Sequence, residues 1–505
     1  MKKWLGGFAL VLLSVFLVAG SSLAWQGRMA GMGDPYGLVG DESDFLIHPA
    51  NIAMGEGTRF YGDYRFTYTD VTNWDTTLER FNTAGVLLDF YDFDTSGDEY
   101  NNNAMVGTGF SLGPGRMGVF FTYNDLQGDY DGKEDLLGVS NAAAYDITHN
   151  DNNLALRLLY GLPVLGMDAG VELGMTYRDE EKKWWIPDTK NDVWPSDYEQ
   201  NLHYFMNPYN SRYWEIFWKA GLGKNFDDLR FDWTINGGHI IASDNEYEYQ
   251  YFLAPGVDEH VVMDGDVSGY SIGTDLWFRY QLNDALTLPF VVSVSYISRQ
   301  RDGDGTGIGL ADFGERYSYE HEETNFEARI GGGVQKKLDT GGLISAALYY
   351  HYLQGREHQW FRNPDYPFFY DYTDYPKHKE HRLEVQLAGE WELTPSTALR
   401  MGLNPFYGWV VAHDFEQSSQ LFVLTEKDDI ESDGNSWGIN ASLGGTVKLS
   451  RVTLEPFING GYFNLDLKGD GDHTIGPGLT IGSWGFDQQR SEWFIGGGLS
   501  ILFGL

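Results

Sequence analysis

Residues 154–178 read LALRLLYGLPVLGMDAGVELGMTYR, and their alternation decides the fold. Leu154, Leu156, Leu158, Tyr160 and Leu162 share one parity. Across a turn expected at Leu162-Pro163 they are matched by Met167, Ala169, Val171, Leu173, Met175 and Tyr177. Interleaved with the second run are Asp168, Gly170, Glu172, Gly174, Thr176 and Arg178. Successive side chains of a strand point to opposite faces, so one face of this hairpin is apolar and the other small or charged. A soluble antiparallel sheet alternates too, but its connections are usually short on both sides. Here short turns alternate with long acidic connections, the pattern of an all-β, antiparallel transmembrane barrel with lipid outside and a polar lumen within.

The unit recurs along the chain. Leu383, Val385, Leu387, Trp391 and Leu393 oppose Arg382, Glu384, Gln386, Glu390 and Glu392; Trp437, Ile439, Ala441, Leu443, Val447 and Leu449 oppose Gly438, Asn440, Ser442, Gly444, Thr446 and Lys448. Tight turns are expected at 113–115, 162–163, 227–228, 283–284, 339–342, 394–396 and 449–450, each joining two alternating runs. One further run precedes them (Phe60, Tyr64, Phe66, Tyr68) and one closes the chain (Trp493 to Leu505), which makes about 16 strands, with 14 as the alternative. An even number brings both termini to the periplasmic side. The stretch Ala84 to Phe93 reads either as a further strand or as part of the first loop. Extracellular loops are expected near 70–104, 124–150, 179–211, 243–266, 300–320, 355–378, 413–435 and 466–489.

Lys2 and Lys3 precede an apolar stretch from Leu5 to Ala19, and Ser22-Leu23-Ala24 supplies small residues at cleavage-type positions, so residues 1–24 read as a secretory signal. The organisation expected is signal 1–24, an N-terminal segment 25–57, and a barrel over 58–505, in the outer membrane of a Gram-negative bacterium. Cysteine is absent, which excludes disulfides and thiolate metal sites. The net charge of −38 argues against nucleic acid and anionic ligands as partners. Lipopolysaccharide, bridged through divalent ions, and a small solute are the partners expected.

Residues 28–57 contain Arg28-Met29-Ala30-Gly31-Met32-Gly33-Asp34, then Gly40-Asp41-Glu42-Ser43-Asp44-Phe45, then His48-Pro49-Ala50-Asn51. This resembles the opening of the long-chain fatty-acid transporter (FadL-like) family, with its Gly-rich start, acidic stretch and Asn-Pro-Ala motif before the first strand. His48 stands where that family has Asn, and 16 strands exceed its 14. The resemblance implies that the segment folds inside the barrel as a hatch and that hydrophobic solute passes from the loops through a pocket and out by a wall opening. It makes Asp41, Asp44, Phe45, His48 and Pro49 candidate binding residues. Size supports a plug independently, since a barrel of about 16 strands leaks unless something fills it.

Lumen-facing carboxylates Asp168, Glu172, Glu327, Glu384, Glu390 and Glu392 are the remaining candidates, of which Asp168, Glu172, Glu384 and Glu390 are carried forward as binding residues. Aromatic clusters in the third loop (Trp184, Trp185, Trp194, Tyr198) and the sixth (Trp360, Phe361, Phe368, Phe369) fit an entry funnel for apolar molecules, or loops packed on each other. Asp302-Gly303-Asp304-Gly305-Thr306-Gly307 matches half of a calcium loop, but position twelve is Phe313 rather than Glu, so no cofactor is expected beyond weak calcium in acidic loops. Gly269-Tyr270-Ser271-Ile272-Gly273 spells a hydrolase elbow inside an alternating strand, where that motif has no meaning, and no enzyme is expected. The reading is an outer-membrane channel for passive uptake of small hydrophobic molecules through a plugged barrel. The alternatives are an open, cation-preferring porin and a non-transport barrel that assists assembly or secretion of a surface protein.

Overall fold

Every backbone N–H and C=O of a strand in hydrocarbon needs a partner, and only a closed ring of strands supplies them all. The computed structural model describes residues 26–33, 37, 39, 42–55, 57–84, 87–136, 143–185, 209–254, 257–307, 316–362, 371–374, 376–420, 424–475 and 479–505, and it closes that ring. The strands are β1 (Arg59–Asn82), β2 (Leu87–Leu112), β3 (Gly115–Leu136), β4 (Ala143–Val164), β5 (Met167–Trp185), β6 (Tyr209–Phe226), β7 (Leu229–Ala254), β8 (Val257–Gly265), β9 (Val267–Asn283), β10 (Leu286–Gly307), β11 (Arg316–Lys337), β12 (Gly342–Arg362), β13 (Asp371–Asp374), β14 (Lys377–Thr394), β15 (Thr397–Gln420), β16 (Leu424–Leu449), β17 (Val452–Ile475) and β18 (Leu479–Gly504). β8 continues as β9, both pairing with β7 and β10; β13 continues as β14, both pairing with β12 and β15. The 18 strands are therefore 16 staves of one antiparallel barrel, shut by β1 against β18. Both ends of the barrel chain lie at the short-turn rim, where Arg59 faces Gly504 and the Leu505 N–H donates to the Thr58 carbonyl at 2.8 Å.

Facing follows the alternation. Leu154, Leu158, Val171, Leu173, Leu387, Leu403, Ile439 and Ile495 point outward and are exposed, whereas Arg157, Glu172, Gln386, Glu390 and Arg400 point inward. Apolar side chains exposed on every stave make a belt suited to lipid.

Two expectations are corrected. The β4–β5 turn is not at Pro163, which sits inside β4 opposite Asp168; it is Leu165-Gly166, both at positive φ (53° and 76°), the geometry that lets two residues reverse a twisted hairpin. The acidic connections are mostly ladder rather than loop. β1 runs to Asn82 and β2 starts at Leu87, so Leu87 to Phe93 belongs to β2 and is not an extra strand. Strands of 24–26 residues, tilted as barrel strands are, rise about 60 Å, more than twice the roughly 25 Å apolar band. Above the band both faces are wet, so nothing imposes alternation and the strands read as loops. Asp302 to Gly307 lie in β10, paired with β8 and β11. Gly269 to Gly273 lie within β9, with no strand-to-helix turn. The signal residues 1–24 and most of the aromatic residues of the third and sixth loops lie outside the described residues.

Candidate functional site in the lumen

The described residues between 26 and 55 lie inside the barrel, touching lumen-facing side chains on opposite walls. A short helix α1 (Gln26–Gly31) and two 3-10 turns, Glu42–Leu46 and Pro49–Met54, carry them. On one wall Phe45, Leu46 and Ile52 form a core with Tyr61, Met105, Phe120, Leu159 and Leu502. On the other, Met32 and Val39 pack with Trp277, Val291, Leu343, Ala347, Tyr349 and Ala388. At this height the described residues of the segment pack against the wall on both sides.

Small residues on the wall make room. A Cβ on Gly170 would lie 2.3 Å from the Pro49 carbonyl carbon, and one on Gly402 would lie 2.2 Å from the Met32 carbonyl oxygen. Gly170→Val should therefore push Pro49 off β5 at a cost of about 1–3 kcal/mol, as overpacking does. Limited proteolysis reads this: the variant should be cut within residues 26–55 while the barrel stays folded, and a cleavage pattern identical to the parent's would refute the contact.

Polar contacts fix the segment around its perimeter. The Arg28 guanidinium grips Glu390 with Nε and Nη2 at 2.9 and 3.0 Å, and Arg400 Nε donates to the same carboxylate at 2.6 Å. Asp44 meets Arg279 at 2.8 Å. The Leu46 carbonyl accepts from Lys219 at 2.7 Å and Arg157 at 3.2 Å. Asn51 accepts from Arg230 at 2.8 Å, and the Gly33 carbonyl accepts from Asn404 at 2.8 Å and Gln386 at 3.2 Å.

The sequence candidates divide as follows. Asp41 lies outside the described residues. Asp44, Phe45, His48 and Pro49 all sit at the segment–wall contact, Pro49 against Gly170 and Gly221. Glu390 joins them through Arg28. Asp168 and Glu172 stand one layer behind: Asp168 pairs with Arg230 at 2.8 Å, and the wholly buried Glu172 pairs with Arg157 at 2.5 Å. Glu384 is elsewhere, beside His351 at 3.1 Å and Arg329 at 3.9 Å. These four wall carboxylates are thus matched by cations rather than free to charge a pore. Glu327 and Glu392 remain exposed. What the sequence reading overlooked is the arginines, and each carries a legible mark: Arg157 stands between Leu156 and Leu158, Arg279 between Phe278 and Tyr280, Arg400 between Leu399 and Met401. An arginine between two outward apolar residues must face inward.

Among the described residues of the segment, His48 is the most enclosed polar group. Its Nδ1 lies 2.7 Å from the Thr234 hydroxyl, and its ring meets Trp277 edge-on at 4.3 Å. Burial first, then Arg279, Lys219 and Arg230, push its pKa down to about 3, so it is held neutral. A base whose docked pKa lies below its free value near 6.5 contributes docking stability in full above pH 6.5 and loses it as pH falls toward 3. The loss has an upper limit of about 1.4 kcal/mol per pH unit. Proteolytic release of the segment should rise between pH 6.5 and 4, and His48→Asn should flatten that rise; a pH-independent rate in the parent would refute it.

No family model matches the chain, and no curated protein matches it. Solved structures of FadL-type barrels align over nearly its whole length. The TodX deltaS2S3 mutant, a monoaromatic hydrocarbon channel, is 10% identical, with 96% of this chain and 99% of that one covered and a TM-score of 0.46. The Pseudomonas putida toluene transporter TodX is 10% identical over the same shares, with a TM-score of 0.40. A Pseudomonas aeruginosa FadL homologue is 11% identical over 97% and 99%, also with a TM-score of 0.40. At such identities and scores the likeness is one of general barrel shape, and nothing about this chain's lumen or solute follows from it.

Proposed function

We propose that the chain is an outer-membrane channel of a Gram-negative bacterium that passes small hydrophobic molecules passively, through a barrel plugged by residues 26–55. The observation that supports this is the packing of that segment between two apolar wall clusters, with charged clamps at Glu390 and Arg279. A lumen closed by apolar contacts excludes hydrated ions and sugars but can admit a molecule that replaces one apolar contact with another. The pairing of Asp168, Glu172, Glu384 and Glu390 with cations weighs against an open pore with a negative field. No covalent step is assigned to it. In cells expressing the chain, the hydrophobic dye N-phenylnaphthylamine should cross the outer membrane faster than in cells without it, with sugar entry unchanged. Faster sugar entry with unchanged dye entry would favour the porin, and no change in either would favour an assembly role.

A further inference from the structure

The N-terminal segment roofs a cavity of 850 Å³ that is bounded by Phe45, Ile52 and Met54 above and by the barrel wall around it. Thr394, Pro395 and Thr397, from the β14–β15 turn, form part of its rim, so it lies toward the short-turn end, where Arg59 and Leu505 also sit. Six basic side chains line it against three acidic ones, in a chain whose net charge is −38. Pairing accounts for Arg28 and Arg400, both on Glu390, and for Arg279 on Asp44.

Arg116 is different. It is 3% exposed, donates to the carbonyls of Gly57 at 2.5 Å and Gly109 at 3.3 Å, and forms no ion pair among the described residues. The chain passes directly over it at Gly55, where a Cβ would come within 2.8 Å of the Arg116 Nε. Among the described residues its partners are neutral carbonyls, which satisfy donors without offsetting charge, and a guanidinium carries five N–H groups in a fork suited to a carboxylate or phosphate. Lys448 lines the same space and adds to its positive field, while Ile52, Met54 and Tyr61 supply an apolar surface beside it.

We propose that this cavity is a periplasm-facing binding site for a compact organic oxyanion, whose carboxylate or phosphate pairs with Arg116 and whose apolar body rests on Ile52, Met54 and Tyr61. The site takes its ligand from the opposite side to the proposed uptake path. It requires no passage of solute, so its failure and the failure of the channel reading are separate results.

Calorimetry on the full chain in detergent tests it with benzoate, phenyl phosphate and uncharged benzyl alcohol. Benzoate or phenyl phosphate should bind at least about tenfold more tightly than benzyl alcohol, as charge-assisted pairing requires. The stronger of the two identifies the head group. Arg116→Gln should lose about that tenfold, and Arg116→Lys, which keeps the charge but not the fork, should lose part of it. Lys448→Glu, a change at an exposed position, should weaken anion binding several-fold and keeps the test available if Arg116→Gln does not fold. Absence of binding, equal affinity for benzyl alcohol, or unchanged affinity in folded Arg116→Gln or in Lys448→Glu would overturn the proposal.

Discussion

Glu390→Leu is expected to release the N-terminal segment while leaving the barrel closed. Glu390 holds Arg28 of the segment and Arg400 of β15 at once, and Arg400 is itself buried, with Glu455 at 3.2 Å as its other carboxylate. Removing the shared carboxylate leaves two guanidinium groups facing one anion in a poorly solvated space. Breaking a buried pair from one side typically costs about 3–5 kcal/mol, because the remaining charge stays buried without compensation. The backbone ladder of β14 is untouched, so the loss falls on docking rather than on closure. The readout is twofold: residues 26–55 should become cleavable, and bilayer current should rise. A variant that stays both resistant and silent would show that the apolar clusters hold the segment without the clamp.

Leu387→Arg should lower barrel stability by about 2–4 kcal/mol, the cost of a cation on the lipid face near mid-bilayer. Leu387 is 40% exposed at the centre of the outward run Leu383 to Leu393, opposite Leu403 and Ala346. Its neighbour Gln386 faces inward, yet it is only 2% exposed and donates to the Gly33 carbonyl. The alternation alone suggests that replacing Gln386 costs far less than replacing Leu387. The structure adds a separate effect: Gln386→Arg should disturb segment docking while sparing barrel stability. Denaturant midpoints in lipid distinguish the two positions, and equal loss of barrel stability at 386 and 387 would reverse the facing of β14.

The contrast between these neighbours shows what the sequence reveals and what it hides. Facing is legible because lipid imposes a strict period of two on residues such as Leu383 to Leu393. The number of staves is legible because seven tight turns divide the alternating runs. Where solvent bathes both faces, as in Thr69 to Asn82 or Gln127 to Leu136, the period vanishes and strand reads as loop. Turn positions slip by a residue or three for a related reason: Pro163 is a strong local signal, but twist matching favours Leu165-Gly166. In the lumen, candidate carboxylates are visible one by one, but their partners are not. Glu172 meets Arg157 across a single hairpin, whereas Glu390 meets Arg28 across 362 residues of chain. No periodicity encodes that second distance, so a row of acids on one face reads as a negative pore although Asp168, Glu172, Glu384 and Glu390 each lie beside a basic side chain.

Planar-bilayer conductance of the full chain against a chain lacking residues 26–55 tests the central claim, a lipid-embedded barrel shut by its own N-terminal segment. The account predicts near silence from the full chain and a large, steady current from the shortened one. A full chain that already conducts a large cation-selective current, unchanged by the deletion, would contradict it.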